Sequence, residues 1–241
     1  MNIVISQPFF LPWVGLFEQL RLADVFVHYD DVQLPGKGNF INRVQAKTKY
    51  GIKWLTVPIK HIKGVAQKIN EVEIREDLAW KKDHQSLIYE NYKVAPYFAE
   101  IELLIKELYA EGQSNLSDFN IRCLERITRY FGFSPRFCRS SDLAIEGSSS
   151  QRVVAICKHF NATKYITGLG ALKYIDYDLF EAEGIALQYM DYQKQVYPQL
   201  HGEFTPYVSI IDLIANCGKE SAKYICSKSV YWKDFIDGQN Q

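Results

Sequence analysis

The sequence predicts an α/β fold on a mostly parallel sheet, with a helical insert and a small β-hairpin. Three observations carry this reading. Short apolar runs alternate with helical periodicity at both ends of the chain. Successive helical segments fill the middle, at about 77–131. Polar residues with chemistry to offer gather just after the apolar runs, where the carboxyl ends of parallel strands hold ligands.

Met1–Ser6 reads as the first strand, and Leu11-Pro12-Trp13 introduces a helix over about 14–22, with Leu16, Leu20 and Ala23 at helical spacing. Val25–Tyr29 is the second strand. Arg43–Thr48 and Ile52–Ile59 are β-rich runs around Lys49-Tyr50-Gly51, a hairpin pattern, and Ile69–Ile74 alternates apolar and polar residues as a further strand does. Helices follow over about 77–91, 96–110 and 116–131. Pro96 suits a first turn, Asn115 or Ser117 can cap the third helix, and Gly132 ends it. A strand at about 136–139 leads through Ser140-Ser141-Asp142 and Gly147–Ser150 to a helix over about 150–160. Lys164–Thr167 and Ile185–Met190 are the last strands, and helices at about 209–216 and 219–226 close the chain. The whole, 1–241, is expected to form one domain.

An apolar content of 47% and a charged content of 23% suit a globular protein. No apolar run approaches the ~18 residues of a membrane span, and no basic-then-apolar leader opens the chain, so a cytoplasmic location is expected. Five cysteines (Cys123, Cys138, Cys157, Cys217 and Cys226) form no CxxC pair and no Cys/His cluster. They read as reduced thiols, with no bound transition metal. Zero net charge argues against general nucleic-acid or membrane binding. The balance is uneven, however: residues 1–68 hold nine cations against four anions. Such a surplus suits a phosphate-bearing ligand, and a solvated lysine surface accounts for it equally well.

Gln7, in a loop stiffened by Pro8 and Pro12, can aim an amide at a ligand. Asp30 and Asp31 end the second strand; one can serve as general base, and since neighbours on a strand face opposite ways, only one is expected in a site. Gln33, Lys37, Asn39, Asn42 and Arg43 occupy or flank a loop opened by Gly36 and Gly38, where Arg43 offers a fork for phosphate or carboxylate. Gly168, Gly170, Lys173 and Tyr174 follow another strand, where backbone N–H groups can cradle an anion. His84 is a third acid–base candidate. The tyrosines of the last third, Tyr165, Tyr174, Tyr177, Tyr189, Tyr192, Tyr197 and Tyr207, suit sugar or base recognition, or a partner interface.

Several stretches together resemble the WbqC-like protein family. They are Gln7-Pro8-x-x-Leu11-Pro12-Trp13-x-Gly15, Ala23-Asp24-x-Phe26-Val27-x-x-Asp30-Asp31-Val32-Gln33, Phe40-Ile41-Asn42-Arg43, Trp54-Leu55-Thr56-Val57-Pro58, Ala95-Pro96-Tyr97-Phe98, Gly168-x-Gly170-Ala171 and Ser209-x-x-Asp212-Leu213-x-x-Asn216. Ser6 departs from the family, where a histidine is expected before Gln-Pro, so position 6 is given no catalytic role. A more distant likeness is to pantothenate synthetase and related nucleotidyltransferase-like folds, and it implies a Rossmann-like (HUP) sheet.

The resemblance implies work in surface-polysaccharide or O-antigen assembly: transfer of an acyl or aminoacyl group, such as glycine, to the amine of a nucleotide-linked sugar. Asp30, Asp31 or His84 would take the proton, with Gln7, Asn39 and Asn42 orienting substrate. The partners implied are that sugar nucleotide and an acyl donor, and aminoacyl-tRNA stays open as a donor. No tightly bound cofactor is expected; ATP with magnesium enters only if the chain is an adenylate-forming ligase. The competing reading is a non-catalytic adaptor in a polysaccharide assembly complex.

Overall fold

The computed structural model describes residues 1–36, 39–62, 64–110 and 112–239. Its centre is a six-stranded sheet ordered β5-β2-β1-β6-β7-β8, from β1 (Asn2–Ser6), β2 (Val25–His28), β5 (Arg136–Arg139), β6 (Lys164–Thr167), β7 (Ala186–Asp191) and β8 (Lys228–Tyr231). The first five pair in parallel, and only β8 runs antiparallel, against β7. In chain order the parallel strands lie 3-2-1-4-5, so the winding reverses between β1 and β6. This is a Rossmann-like α/β fold with its topological switch between those strands.

The strands are apolar on both faces because helices cover both. Val4, Phe26, Ile166 and Met190 pack into one core with α1 (Val14–Leu22) and the helical insert, α2 (Trp80–Tyr92), α3 (Phe98–Ala110) and α4 (Leu116–Tyr130). Ile3, Ile5, Val25, Val27, Leu187 and Tyr189 face a second core. That one is closed by α5 (Ser149–His159), α6 (Tyr177–Ala182) and α8 (Trp232–Gln239). The remaining helix, α7 (Ile210–Cys217), is buried in the first core. The hairpin β3 (Arg43–Thr48) and β4 (Gly51–Thr56) forms its own two-stranded sheet.

Three expectations are corrected. Ile69–Ile74 is a 3-10 turn over Ile69–Glu71, flanked by isolated bridges of Ile74 to Ile59 and Glu73 to Asn115. Glu71 folds back to accept the Lys68 N–H at 2.9 Å, which favours the turn over a strand. The apparent alternation came from buried Val72 and Ile74 in extended chain beyond it. The expected helix at 219–226 is a 3-10 helix over Gly218–Tyr224. Pro96 lies before α3, in the turn closed by the Phe98 N–H on the Ala95 carbonyl. Asn115, not Ser117, caps α4 by accepting the Asp118 N–H at 3.1 Å.

Candidate active site at the carboxyl edge of the sheet

Parallel register puts three of the expected groups on one edge. Ser6 pairs with His28, and Val4 with Ile166, so Gln7, Asp30-Asp31 and Gly168 all follow adjacent strand ends around the switch point. The loop after β1 is pinned on several sides. Asn120 of α4 donates to the Pro8 carbonyl at 2.8 Å and to the Ile41 carbonyl at 2.7 Å. The Phe10 N–H reaches Phe40, and the Ser209 hydroxyl donates to the Leu11 carbonyl at 2.8 Å. These ties hold buried Leu11 at a φ of 38°, a left-handed conformation that a branched residue adopts only under constraint.

On the Val27 face, the two aspartates part company. Asp30 is fully buried and accepts the Ser140 hydroxyl (3.1 Å), the Ser141 N–H (3.1 Å) and the Ser141 hydroxyl (2.9 Å), so it fastens the end of β5 to that of β2. Asp31 turns toward α5. It accepts the Ser140 hydroxyl and the Arg152 guanidinium, each at 2.5 Å. Burial opposes ionisation of Asp31, but the hydrogen bonds from Arg152 and Ser140 and the guanidinium charge outweigh it, leaving its pKa below the ordinary range. Arg152 is itself buried. It donates Nε to the Ile145 carbonyl at 2.9 Å, and its guanidinium lies 5.1 Å from the Tyr29 ring centre. Burial pushes the Tyr29 phenol up despite Arg152, so it is neutral and can donate. Tyr174 lies near enough to raise Tyr29, Tyr165 and Tyr189 in turn. The result is a fixed guanidinium among neutral phenols, a set that can grip a phosphate or carboxylate and read hydroxyl groups.

On the Val4 face the site is aromatic. The Trp13 ring sits 5.0 Å from Tyr192 and 5.4 Å from Tyr207, which Lys194 covers. A Cβ on Gly15 would stand 2.2 Å from the Trp13 indole, so only glycine lets that ring lie over the start of α1. Gln19 donates to the Tyr192 hydroxyl at 2.8 Å. A Cβ on Gly168 would meet that hydroxyl at 3.2 Å and the Gln19 amide at 3.3 Å, so the backbone after β6 runs tightly past both. Gly170 has open space around it.

The other expected residues lie in different surroundings. His84 is buried between the Tyr109 hydroxyl (3.0 Å) and the Thr56 carbonyl (3.1 Å), and desolvation lowers it to about 4 despite that carbonyl. Arg43 starts the hairpin, donates to the Asn39 carbonyl at 3.2 Å and lies 4.3 Å over the Trp54 ring. Asn39 closes its own loop on Pro35, Gly36 and Ile41. Asn42 donates to the Val57 carbonyl, and Gln33 bridges Lys68. Lys173 is exposed at the end of the 3-10 helix Leu169–Lys173, while Tyr174, just beyond it, is the expected residue that joins the phenols near Arg152. Lys37 lies outside the described residues. The sequence reading missed Arg152, Tyr29 and Gln19 as site residues. A signal for Arg152 was present: a lone cation among Val153, Val154, Ile156 and Cys157 on a helix that must bury that face.

A cavity of about 540 Å³ is lined by α3 and α4 residues, by Gln113 and by Arg139, the last residue of β5; one of about 300 Å³ lies between α2 and α3. Among the described residues no group of three or more His, Cys, Asp or Glu is placed to hold a metal ion, and no helix is long and apolar enough to cross a membrane.

Residues 7–224 match the WbqC-like protein family. The chain is 37% identical over 227 residues to the uncharacterized protein Rv1507c of Mycobacterium tuberculosis, covering 93% of this chain and 97% of that one. No solved structure matches.

Proposed function

The chain belongs to the WbqC-like protein family, and on that premise we propose that it binds a nucleotide-linked amino sugar at the carboxyl edge and forms an amide on its amino group, within surface-polysaccharide assembly. One observation carries the reading: Arg152, buried at the carboxyl edge against the Tyr29 ring and held by Asp31 and the Ile145 carbonyl, is a preformed anchor for an anionic group. The neutral phenols beside it and the Trp13, Tyr192 and Tyr207 rings opposite suit the sugar and the base.

In this reading Asp31 takes the proton. His84 is enclosed on both ring nitrogens, and Asp30 is fully buried, whereas Asp31 keeps some exposure. The carboxylate of Asp31 draws in the sugar ammonium, which must first lose one proton to solvent to expose its lone pair. When that amine bonds to the acyl carbon its nitrogen becomes strongly acidic, Asp31 accepts this second proton, and the bond to the donor's leaving group breaks. The acyl donor, and with it any use of ATP and magnesium, is left to product analysis.

Isothermal titration with a panel of nucleotides and amino-sugar nucleotides tests the reading. One sugar nucleotide should bind at micromolar levels, and Arg152→Ala should weaken it by roughly 1.5–3 kcal/mol, the scale of a charge-assisted hydrogen bond. Mass spectrometry of its products with amino-acid donors should then show an added acyl mass. Binding of none of the panel would transfer support to the adaptor reading.

A further inference from the structure

Between Asp31 and Glu71 the chain has no acidic residue, although 28 are spread over the rest of its 241 positions. The same stretch contains eight cations: Lys37, Arg43, Lys47, Lys49, Lys53, Lys60, Lys63 and Lys68. A neutral protein therefore carries one strongly basic segment, and the β3–β4 hairpin is its centre. Two of the cations are committed elsewhere. Lys47 is buried against the Gln199, Gly202 and Glu203 oxygens, and Lys60 pairs with Glu73 at 2.7 Å. Lys49 and Lys53 are exposed, and no carboxylate among the described residues is bonded to either.

The same hairpin leaves aromatic surface uncovered. Register puts Arg43, Gln45, Trp54 and Ile52 on one face, opposite the face where Val44 and Leu55 enter the core and where Lys53 pairs with Ala46. Trp54 is 40% exposed, Phe40 47% and Tyr50 78%. The Phe40 and Trp54 rings lie 5.7 Å apart, Arg43 lies 4.3 Å over Trp54, and the Lys49 ammonium lies 4.9 Å over Tyr50. Cations set beside half-exposed rings are the pattern that takes stacked bases and their phosphates together. A bilayer fits less well, since cations laid on the ring faces would be carried into the hydrocarbon with them.

The geometry points to a binding surface for single-stranded nucleic acid on the β3–β4 hairpin, with Phe40, Trp54 and Tyr50 as stacking platforms and Arg43 and Lys49 as phosphate contacts. It is independent of the sugar-nucleotide reading, because none of these residues is assigned a part in it.

The test is fluorescence anisotropy of the full chain with a labelled single-stranded oligonucleotide of about twelve bases, a length within the reach of such platforms. Binding should be micromolar at low salt and weaken steeply with added salt. Trp54→Ala should reduce affinity about tenfold. Lys49→Glu should reduce it about threefold or more and flatten the salt dependence. Both variants alter exposed side chains, and an unchanged melting temperature confirms that each is folded. The proposal is overturned by no binding at about 100 µM protein in low salt, the weak end of non-specific association. Equal binding by folded variants, equal affinity for the matching duplex, or capture by anionic phospholipid vesicles without oligonucleotide binding would overturn it too.

Discussion

His84 has both ring nitrogens in fixed roles. The Thr56 carbonyl can only accept, so Nε2 carries the proton and Nδ1 accepts from the Tyr109 hydroxyl. Packing against Phe10 and Trp80 leaves no room to hydrate an imidazolium, which is why its pKa falls to about 4 from the ordinary 6.5. The sign of the linkage follows. Between those two values the unfolded chain holds a proton that the folded chain does not, so stability is full above about 6.5 and declines as the pH drops through about 4. The loss amounts to roughly 3 kcal/mol. Urea midpoints measured from pH 7 to pH 4.5 should therefore fall with acid, and His84→Gln should flatten that slope while starting from lower stability. Parallel pH profiles for the two proteins would show that other groups cause the decline.

At the scale of elements, Gly15 shows how one helix start serves the site. Gly15→Ala forces the Trp13 indole off α1 and away from Tyr192 and Tyr207. An overpacking cost of about 1–3 kcal/mol is expected in thermal or urea unfolding. In a Trp13→Phe background most of that cost should vanish, because the clash is with the indole; additive losses would place the defect in the backbone. The helix was legible from Leu16 and Leu20, and the parallel strands were legible as apolar runs because both of their faces are buried. The elements that escaped reading have physical reasons. In β8 the run Lys228–Tyr231 is an edge strand without strong alternation, and α6 is barely more than a turn. The candidate edge was legible in Gln7, the aspartates and Gly168, since strand ends follow from strand positions. Arg152 was not, because its role depends on α5 crossing over Asp31, a contact between residues 121 positions apart. Arg43 and His84 both read in the sequence as site candidates, one as an anion fork and the other as an acid–base group. Only packing separates a half-covered cation on a hairpin from an imidazole sealed in an aromatic core.

Across the whole molecule, the family motif Ser209-x-x-Asp212-x-x-x-Asn216 binds the hairpin to the insert and the C-terminal part. Asp212 is fully buried and accepts the Tyr92 hydroxyl at 2.9 Å and the Tyr197 hydroxyl at 3.0 Å. Tyr92 in turn accepts the β3 amide of Lys47 at 3.2 Å, while Gln199 joins Tyr197 to the Lys47 ammonium. Burial raises the Asp212 pKa, and the two phenol hydrogen bonds and the nearby Lys47 partly restore the carboxylate. Asp212→Asn keeps the shape but turns an N–H₂ toward one of two phenols that can no longer donate there. An unfolding cost of about 1–3 kcal/mol is expected. Tyr92→Phe strands the Lys47 amide and should cost a similar amount, yet the double variant should lose less than the sum, because both changes cut the same chain of bonds. Hydrogen exchange distinguishes this latch from a local defect. In Asp212→Asn the Lys47 and Thr205 amides, on separate segments, should exchange faster together, while β1 and β6 amides keep their protection. Faster exchange confined to α7 would mean that Asp212 serves only its own helix. The hairpin would then owe its position to Asn120 and Phe10 on the opposite side.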